Sequence, residues 1–406
     1  MTVQTVTDTD HCHLTELAFK VQSLHLHWRW VYMVITRKCL MIFVTKSYLP
    51  KKEKLLHYID QIYSSHQLTN YGPLTQLLEQ KLASFLGVRN IVLVSNGTLA
   101  LQIAYKALNL SGSAITTPFS FPATTSTLVW ESIRPIFADI NPHSWNISPT
   151  EIEKNIQPDT SAIVPTHVFG NACEVEAIQK ISQRHNLKVI YDGAHAFGVQ
   201  YKNKSLLNWG DATTLSFHAT KLFHTIEGGA IITNDDTLAE KIRLMINFGI
   251  ISEGKIVELG INAKFNEFQA AMGLCILDEI NNIRDGRKKA WDYYFDLLKN
   301  DFTLQARNSF STNNHGYFPV LFESSYKMLS AQRKLNDQGI FPRRYFYPSL
   351  NELPYIHLQK NMPQAKDIAN RVLCLPLYVD LSLNTIDKIV DIINIYSSSK
   401  NTCDSI

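Results

Sequence analysis

The chain has 406 residues, 45% of them hydrophobic and 18% charged, with 39 basic and 36 acidic side chains and a formal net charge of +3. That length holds two globular domains with a sizeable core, and charges so evenly mixed leave no basic block for nucleic acid or a membrane surface. Six scattered cysteines without a C-x-x-C pair read as free thiols in a reducing compartment, neither a disulfide framework nor a zinc site.

Residues 1–40 differ in character from the rest of the chain. His11-Cys12-His13 and the run from His25 to Trp30 cluster metal-binding types, but clustered ligands without geometry and a supporting shell do not make a metal site, and no metal is expected. The first ten residues are polar and acidic, unlike a signal peptide. The apolar stretch after them is broken by Arg37 and Lys38, short of the roughly 20 residues a membrane span requires. The segment reads as a disordered or misassigned leader, with folded protein starting near Met41 and a cytoplasmic location.

From residue 53 the pattern becomes regular. Leu74, Leu77, Leu78, Leu82 and Phe85 recur at helical spacing, predicting an amphipathic helix that stops at Gly87. A buried strand at Ile91–Val94 leads through Ser95-Asn96-Gly97-Thr98 into a helix reaching Leu108. Further strands are predicted at 114–117, 135–139, 162–165, 189–192, 214–217 and 230–233, with helices between several of them, such as Val175–His185. This alternation predicts an α/β fold, a mainly parallel sheet sandwiched by helices. After about residue 280 a polar helical stretch with Arg284, Arg287 and Trp291 precedes strands at 317–322 and 372–377 and a helix at 384–395. The expected organisation is therefore a large ligand-binding domain over 41–280 and a smaller α/β C-terminal domain over 281–406.

Ligands in such sheets bind beyond the carboxyl ends of the strands, where this chain keeps its chemistry. A glycine turn opening a helix, as at Gly97-Thr98, offers free N–H groups and a positive dipole end to a phosphate, although the same residues serve as a plain helix cap. After the next strand comes Thr117-Pro-Phe-Ser-Phe-Pro-Ala-Thr124, where Phe121, or else Phe119, can cover one face of a flat ring. Asp192 ends the strand Val-Ile-Tyr-Asp with its carboxylate expected exposed at the sheet edge, and His195 comes three residues later. Ser216 and Lys221 lie in Ser-Phe-His-Ala-Thr-Lys after another strand, with Glu227-Gly-Gly229 turning the chain back. Lysine and aspartate so placed are the pair that pyridoxal phosphate (PLP) requires. The amine holds the cofactor as a Schiff base, and the carboxylate keeps its ring nitrogen protonated so that the ring draws off electrons.

In order and spacing these motifs resemble the DegT/StrS-type family of PLP-dependent nucleotide-sugar aminotransferases, from about Phe43 to about Leu381. The resemblance implies a fold type I PLP-dependent transferase. Gly97, Thr98 and Ser216 would bind the phosphate, Phe121 would stack on the ring and His195 approach its hydroxyl, Asp192 would meet its nitrogen, and Lys221 would carry the Schiff base and move the proton. Gly260-Ile-Asn262-Ala-Lys264 matches a segment whose asparagine reaches the neighbouring subunit's phosphate, which implies a homodimer with shared active sites. The histidine at 195, where many members carry glutamine, marks a branch that shares HVFGN, YDGAHAFG, FHATKLF and GINAK. Membership of that branch implies amination of the dTDP-keto-deoxysugar dTDP-4-dehydro-6-deoxy-D-glucose at C4, with L-glutamate as donor, for surface polysaccharide. Amination of a 3-keto sugar stays open, as does a sugar-sensing regulator on the same fold. Relatives that dehydrate instead replace the lysine with histidine, and Lys221 argues against that outcome. Leu68–Pro73 resembles a family segment near the sugar pocket, and Arg343–Tyr347 offers cations and aromatics for the nucleotide.

Overall fold

The computed structural model describes residues 41–357 and 360–397, so the leader and Cys12, Cys39 and Cys403 lie outside the described residues. Seven short strands rich in β-branched residues form the central sheet: β1 (Asn90–Val94), β2 (Ser113–Thr116), β3 (Arg134–Phe137), β4 (Thr160–Val164), β5 (Lys188–Asp192), β6 (Ala212–Ser216) and β7 (Gly229–Thr233). Their spatial order is β1-β7-β6-β5-β4-β2-β3. Neighbours are parallel except β7, which runs antiparallel to both β1 and β6.

Side chains alternate between two buried cores, as the pleat demands. Ile91, Leu93, Ile115, Ile163, Val189, Tyr191 and Leu215 face one, and Val92, Val94, Ala114, Val164, Ile190 and Ile231 the other. Burial on both faces is why these segments read as continuous apolar runs. The covering helices include α1 (Lys52–Ser65), α2 (Pro73–Leu86), α3 (Gly97–Ala107), α4 (Pro122–Trp130), α5 (Val175–His185), α6 (Asp236–Met245) and α7 (Glu267–Asp278).

The predicted helix before Gly87 is α2, ended by Gly87 in the left-handed region at φ 62°. Leu74, Leu78 and Leu82 are buried, whereas Phe85 lies at the rim, stacked on Phe197 at 5.8 Å. The start of α2 has no cap of its own, because Gly72 brings no side chain. Glu267, the first residue of α7, supplies the acceptor from another helix. Its carboxylate accepts from the N–H groups of Leu74 (2.8 Å) and Thr75 (3.0 Å) and from the Thr75 hydroxyl. A Cβ on Gly72 would sit 2.5 Å from that carboxyl carbon, so glycine is required there. Hydrogen bonds to a buried charge contribute about 1.5–3 kcal/mol each. Glu267→Ala is therefore expected to cost about 2–4 kcal/mol of stability, read from a urea melt; a loss below about 1 kcal/mol would refute the cap.

Beyond α7 the chain builds a second layer: α8 (Ile280–Leu298), β8 (Thr303–Leu304), β9 (Phe318–Leu321), α9 (Ser325–Asp337), β10 (Val372–Leu375) and α10 (Leu383–Asn394). The strands form an antiparallel sheet in the order β8-β9-β10. Tyr294, Phe318, Val320, Met328, Leu335, Leu373, Ile386 and Ile389 make its core. The strand Ile42–Phe43 joins this part of the molecule, pairing in parallel with Ile340–Phe341. Among the described residues Cys173, Cys275 and Cys374 are free and buried, and no helix is long and apolar enough to cross a membrane.

Candidate active site

A cavity of about 390 Å³ opens beyond the carboxyl ends of β1, β5 and β6 and is bounded on its far side by Tyr317, Arg343, Tyr345 and Phe346. Gly97, Thr98, Phe121, Asp192, His195, Ser216 and Lys221 all line it. Asn262 does not. It is exposed and bridges to Asn247 in an outlying segment.

The start of α3 serves both readings of its sequence. Asn96 caps the helix by accepting from Leu99 N–H at 2.9 Å, which leaves the first-turn N–H groups of Gly97 and Thr98 without an intrahelical acceptor. A Cβ on Gly97 would lie 2.9 Å from Ser216 Cβ, so the bare glycine keeps this corner open beside the serine. Of the two candidate aromatics, Phe121 is 56% exposed and faces the cavity. Phe119 belongs to the core, edge-on to Phe346 (5.5 Å), Phe169 (6.3 Å) and Trp145 (6.5 Å).

Asp192 differs from its expected setting. Its strand is interior, between β4 and β6, and its carboxylate is buried rather than exposed at a sheet edge. Thr124 Oγ1 donates to Oδ2 at 2.6 Å and Ala194 N–H to Oδ1 at 3.0 Å. Behind Thr124 stand the Ser120 hydroxyl at 2.8 Å and Thr166, which donates to Ser120 at 3.1 Å. These buried hydroxyls form a chain that ends on the carboxylate and fixes its orientation.

His195 lies parallel to Phe346 (5.6 Å) and Phe169 (6.1 Å), and its Nδ1 accepts from Phe169 N–H at 3.2 Å. Burial first, and the charge of Lys221 second, hold its pKa well below that of a free imidazole. The ring is therefore neutral, with its proton on Nε2. Burial likewise lowers the pKa of Lys221, opposed by the nearby Asp192 carboxylate and, second, by Tyr345. Its Nζ donates to Tyr317 Oη at 3.1 Å. At the mouth, His218 Nδ1 and Thr220 Oγ1 are 2.8 Å apart, and Glu227 lies 3.5 Å from His218 Nε2.

Of the two substrate segments named from sequence, Arg343–Tyr347 borders this cavity and Leu68–Pro73 lies elsewhere. Asn70 and Tyr71 line a separate cavity with Arg243, Asn247 and Lys264. Conversely, sequence reasoning passed over Thr124 and Tyr317 as site residues. Thr124 stands in a motif that drew attention for its phenylalanines, and no local spacing ties Tyr317 to Lys221. Among the described residues no group of three or more His, Cys, Asp or Glu side chains could hold a metal ion.

Residues 50–394 match the model of the DegT/DnrJ/EryC1/StrS aminotransferase family. The chain belongs to that family. As a DegT-family aminotransferase it is a PLP-dependent sugar aminotransferase. Among curated relatives it is 43% identical to a dTDP-4-amino-4,6-dideoxy-D-glucose transaminase of Shigella dysenteriae, over 87% of this chain and 98% of that one. It is 39% identical to a transaminase of the same name from Escherichia coli, over 86% and 97%. Among solved structures it resembles DesI, determined in the presence of its TDP-sugar product, with a TM-score of 0.83 and 31% identity over 87% of this chain and 92% of DesI.

The residues present fit the family's cofactor. The corner between Gly97, Thr98 and Ser216 gathers backbone and hydroxyl donors suited to a phosphate, a Cβ would fill it, and the same cavity holds the fixed carboxylate and the buried amine.

Proposed function

We propose that this aminotransferase moves the amino group of L-glutamate to C4 of dTDP-4-dehydro-6-deoxy-D-glucose, giving dTDP-4-amino-4,6-dideoxy-D-glucose. The observation that carries the proposal is the near full-length similarity to the S. dysenteriae and E. coli transaminases, in a chain that sets Lys221 and Asp192 in one cavity. We place the reaction in the cytoplasm, as a step toward the amino sugars of surface polysaccharide such as O-antigen.

In this assignment Gly97, Thr98 and Ser216 receive the cofactor phosphate, and Phe121 covers one face of the ring. Bound PLP supplies an electron sink for charge on the carbon next to the transferred nitrogen. Asp192 meets the ring nitrogen, its direction set by Thr124 and Ala194. Neutral His195 offers Nε2–H as a donor without adding positive charge. Lys221 carries the cofactor and moves the proton, and its burial favours the neutral amine, the form with a lone pair to use as a base. Arg343 and Tyr345 line the same cavity and would meet the anionic groups of the donor or the sugar nucleotide. The test supplies the purified protein with glutamate and dTDP-4-dehydro-6-deoxy-D-glucose, measuring 2-oxoglutarate and the site of amination by NMR. A preference for the 3-keto isomer, or 2-oxoglutarate without amino sugar, would overturn the assignment.

We further propose a homodimer whose sites are shared. The segment from Phe248 to Ile261 exposes Ile250, Ile251, Ile256, Val257 and Leu259, the last at 71%, with Asn262 next in the chain. So much contiguous apolar surface suits a protein partner, and a second copy would bring Asn262 to the neighbouring cavity. Leu259→Asp is expected to shift the protein to monomer on light scattering and to weaken PLP retention at least about tenfold; an intact dimer with normal retention would refute this face.

A further inference from the structure

Tyr317 has no part in the roles assigned above, yet it lies against the amine on which the reaction turns. The bond from Nζ to Oη is the one that the Lys221 amine makes among the described residues. The phenol is held from several sides. Its ring packs at a tilt against His195 (4.6 Å) and Phe169 (5.4 Å) and edge-on to Tyr345 (6.0 Å). Its backbone is pinned by Trp291 Nε1, which donates to the Tyr317 carbonyl at 3.1 Å, and by Arg287, which donates to the Gly316 carbonyl at 3.2 Å. Burial pushes its ionisation upward, so the phenol keeps its proton. A neutral phenol can both give and accept a hydrogen bond, and so can partner an ammonium or a free amine.

We infer that Tyr317 is a positioning residue that docks the Lys221 amine in the cavity whenever that amine is not bonded to the cofactor. The inference rests on Lys221 being the transaminating lysine. A free lysine carries about 2 kcal/mol of side-chain rotamer entropy, so without a fixed partner it would seldom occupy one useful geometry. The charged and titratable groups around it do not fill that place. Asp192, Tyr345 and His195 interact with the amine through space, and His218 and Glu227 pair with each other at the mouth. Tyr317 alone among these bonds to Nζ, from a ring its surroundings hold still.

Tyr317→Phe tests this, because it keeps the ring and removes only Oη. The full-length enzyme is loaded with pyridoxamine phosphate, so that Lys221 is free without any donor. Lys221 is then acetylated with acetic anhydride across a pH series, and its peptide is quantified by mass spectrometry. Oη binds the ammonium more strongly than the neutral amine, so its loss should move the labelling profile to lower pH by about half a pH unit or more. With PLP restored, the glutamate half-reaction should slow about 10- to 100-fold while KM for glutamate stays within about threefold. The isotope effect with glutamate deuterated at C2 should rise as proton transfer becomes the slower step. A labelling profile that superimposes on the wild type, or an unchanged isotope effect, overturns the inference and leaves Tyr317 as packing. If the wild type does not accept glutamate, the donor assignment fails while the labelling still decides the role of Tyr317.

Discussion

Replacing Lys221 by alanine is expected to lower the glutamate half-reaction by at least about a thousandfold, since covalent attachment and positioned proton transfer are lost together. The fold should survive. The Lys221 amine makes its hydrogen bond to Tyr317, itself held by independent packing, and burial opposes charge at this position. Removing a desolvated amine with one partner should change stability by no more than about 1 kcal/mol. Rapid mixing with glutamate reads the first effect and thermal unfolding the second. The visible absorbance of the purified protein should also change, because the covalent link to PLP is gone. A variant that still releases 2-oxoglutarate within about tenfold of the wild-type rate would remove Lys221 from the mechanism.

How far apart two interacting residues lie in the chain decides whether the sequence discloses their contact. Local features were legible. Helix α5 runs over Val175–His185 as expected, and the central strands fall within a few residues of their predicted places, because short apolar runs bounded by turn residues carry their own signal. The strand ends carrying Gly97, Asp192, Ser216 and the approach to Lys221 were legible for the same reason. Strand direction was not: nothing in Gly-Ala-Ile-Ile-Thr tells that β7 enters antiparallel between β1 and β6. The setting of Asp192 was misjudged because its burial depends on strands pairing on both sides and on Thr124, 68 residues away in the chain. Tyr317 is 96 residues from Lys221 and reaches it only through the second layer. Phe119 and Phe121 are alike in sequence, and their opposite fates are set by the cluster of Trp145, Phe169 and Phe346 that encloses the first. Asn262 lies outside the cavity of its own chain, and only the resemblance of Gly260–Lys264 to a family segment, not any local pattern of the chain, points to a second copy.

Asp192→Asn is expected to separate catalysis from stability. A carboxamide is nearly the same size, but its NH2 group cannot accept the hydrogen bonds that both carboxylate oxygens accept now. Ala194 N–H is a fixed donor and should retain the amide oxygen, turning the NH2 toward Thr124. There the hydroxyl chain can adapt. Thr124 can accept from the amide and donate onward to Ser120, reversing a sequence of rotatable protons that now runs from Thr166 toward Asp192. A buried donor facing a fixed donor would cost about 1–3 kcal/mol, and the reversal should hold the loss to about 1 kcal/mol. Activity has no such escape. A neutral amide cannot sustain positive charge on the ring nitrogen, so the electron sink weakens and the half-reaction should slow by at least about a hundredfold. Thermal melts set beside single-turnover rates give both quantities from one preparation. A stability loss above about 3 kcal/mol would mean that the hydroxyl chain does not turn round, and a rate within about tenfold of wild type would mean that Asp192 does not face the cofactor nitrogen.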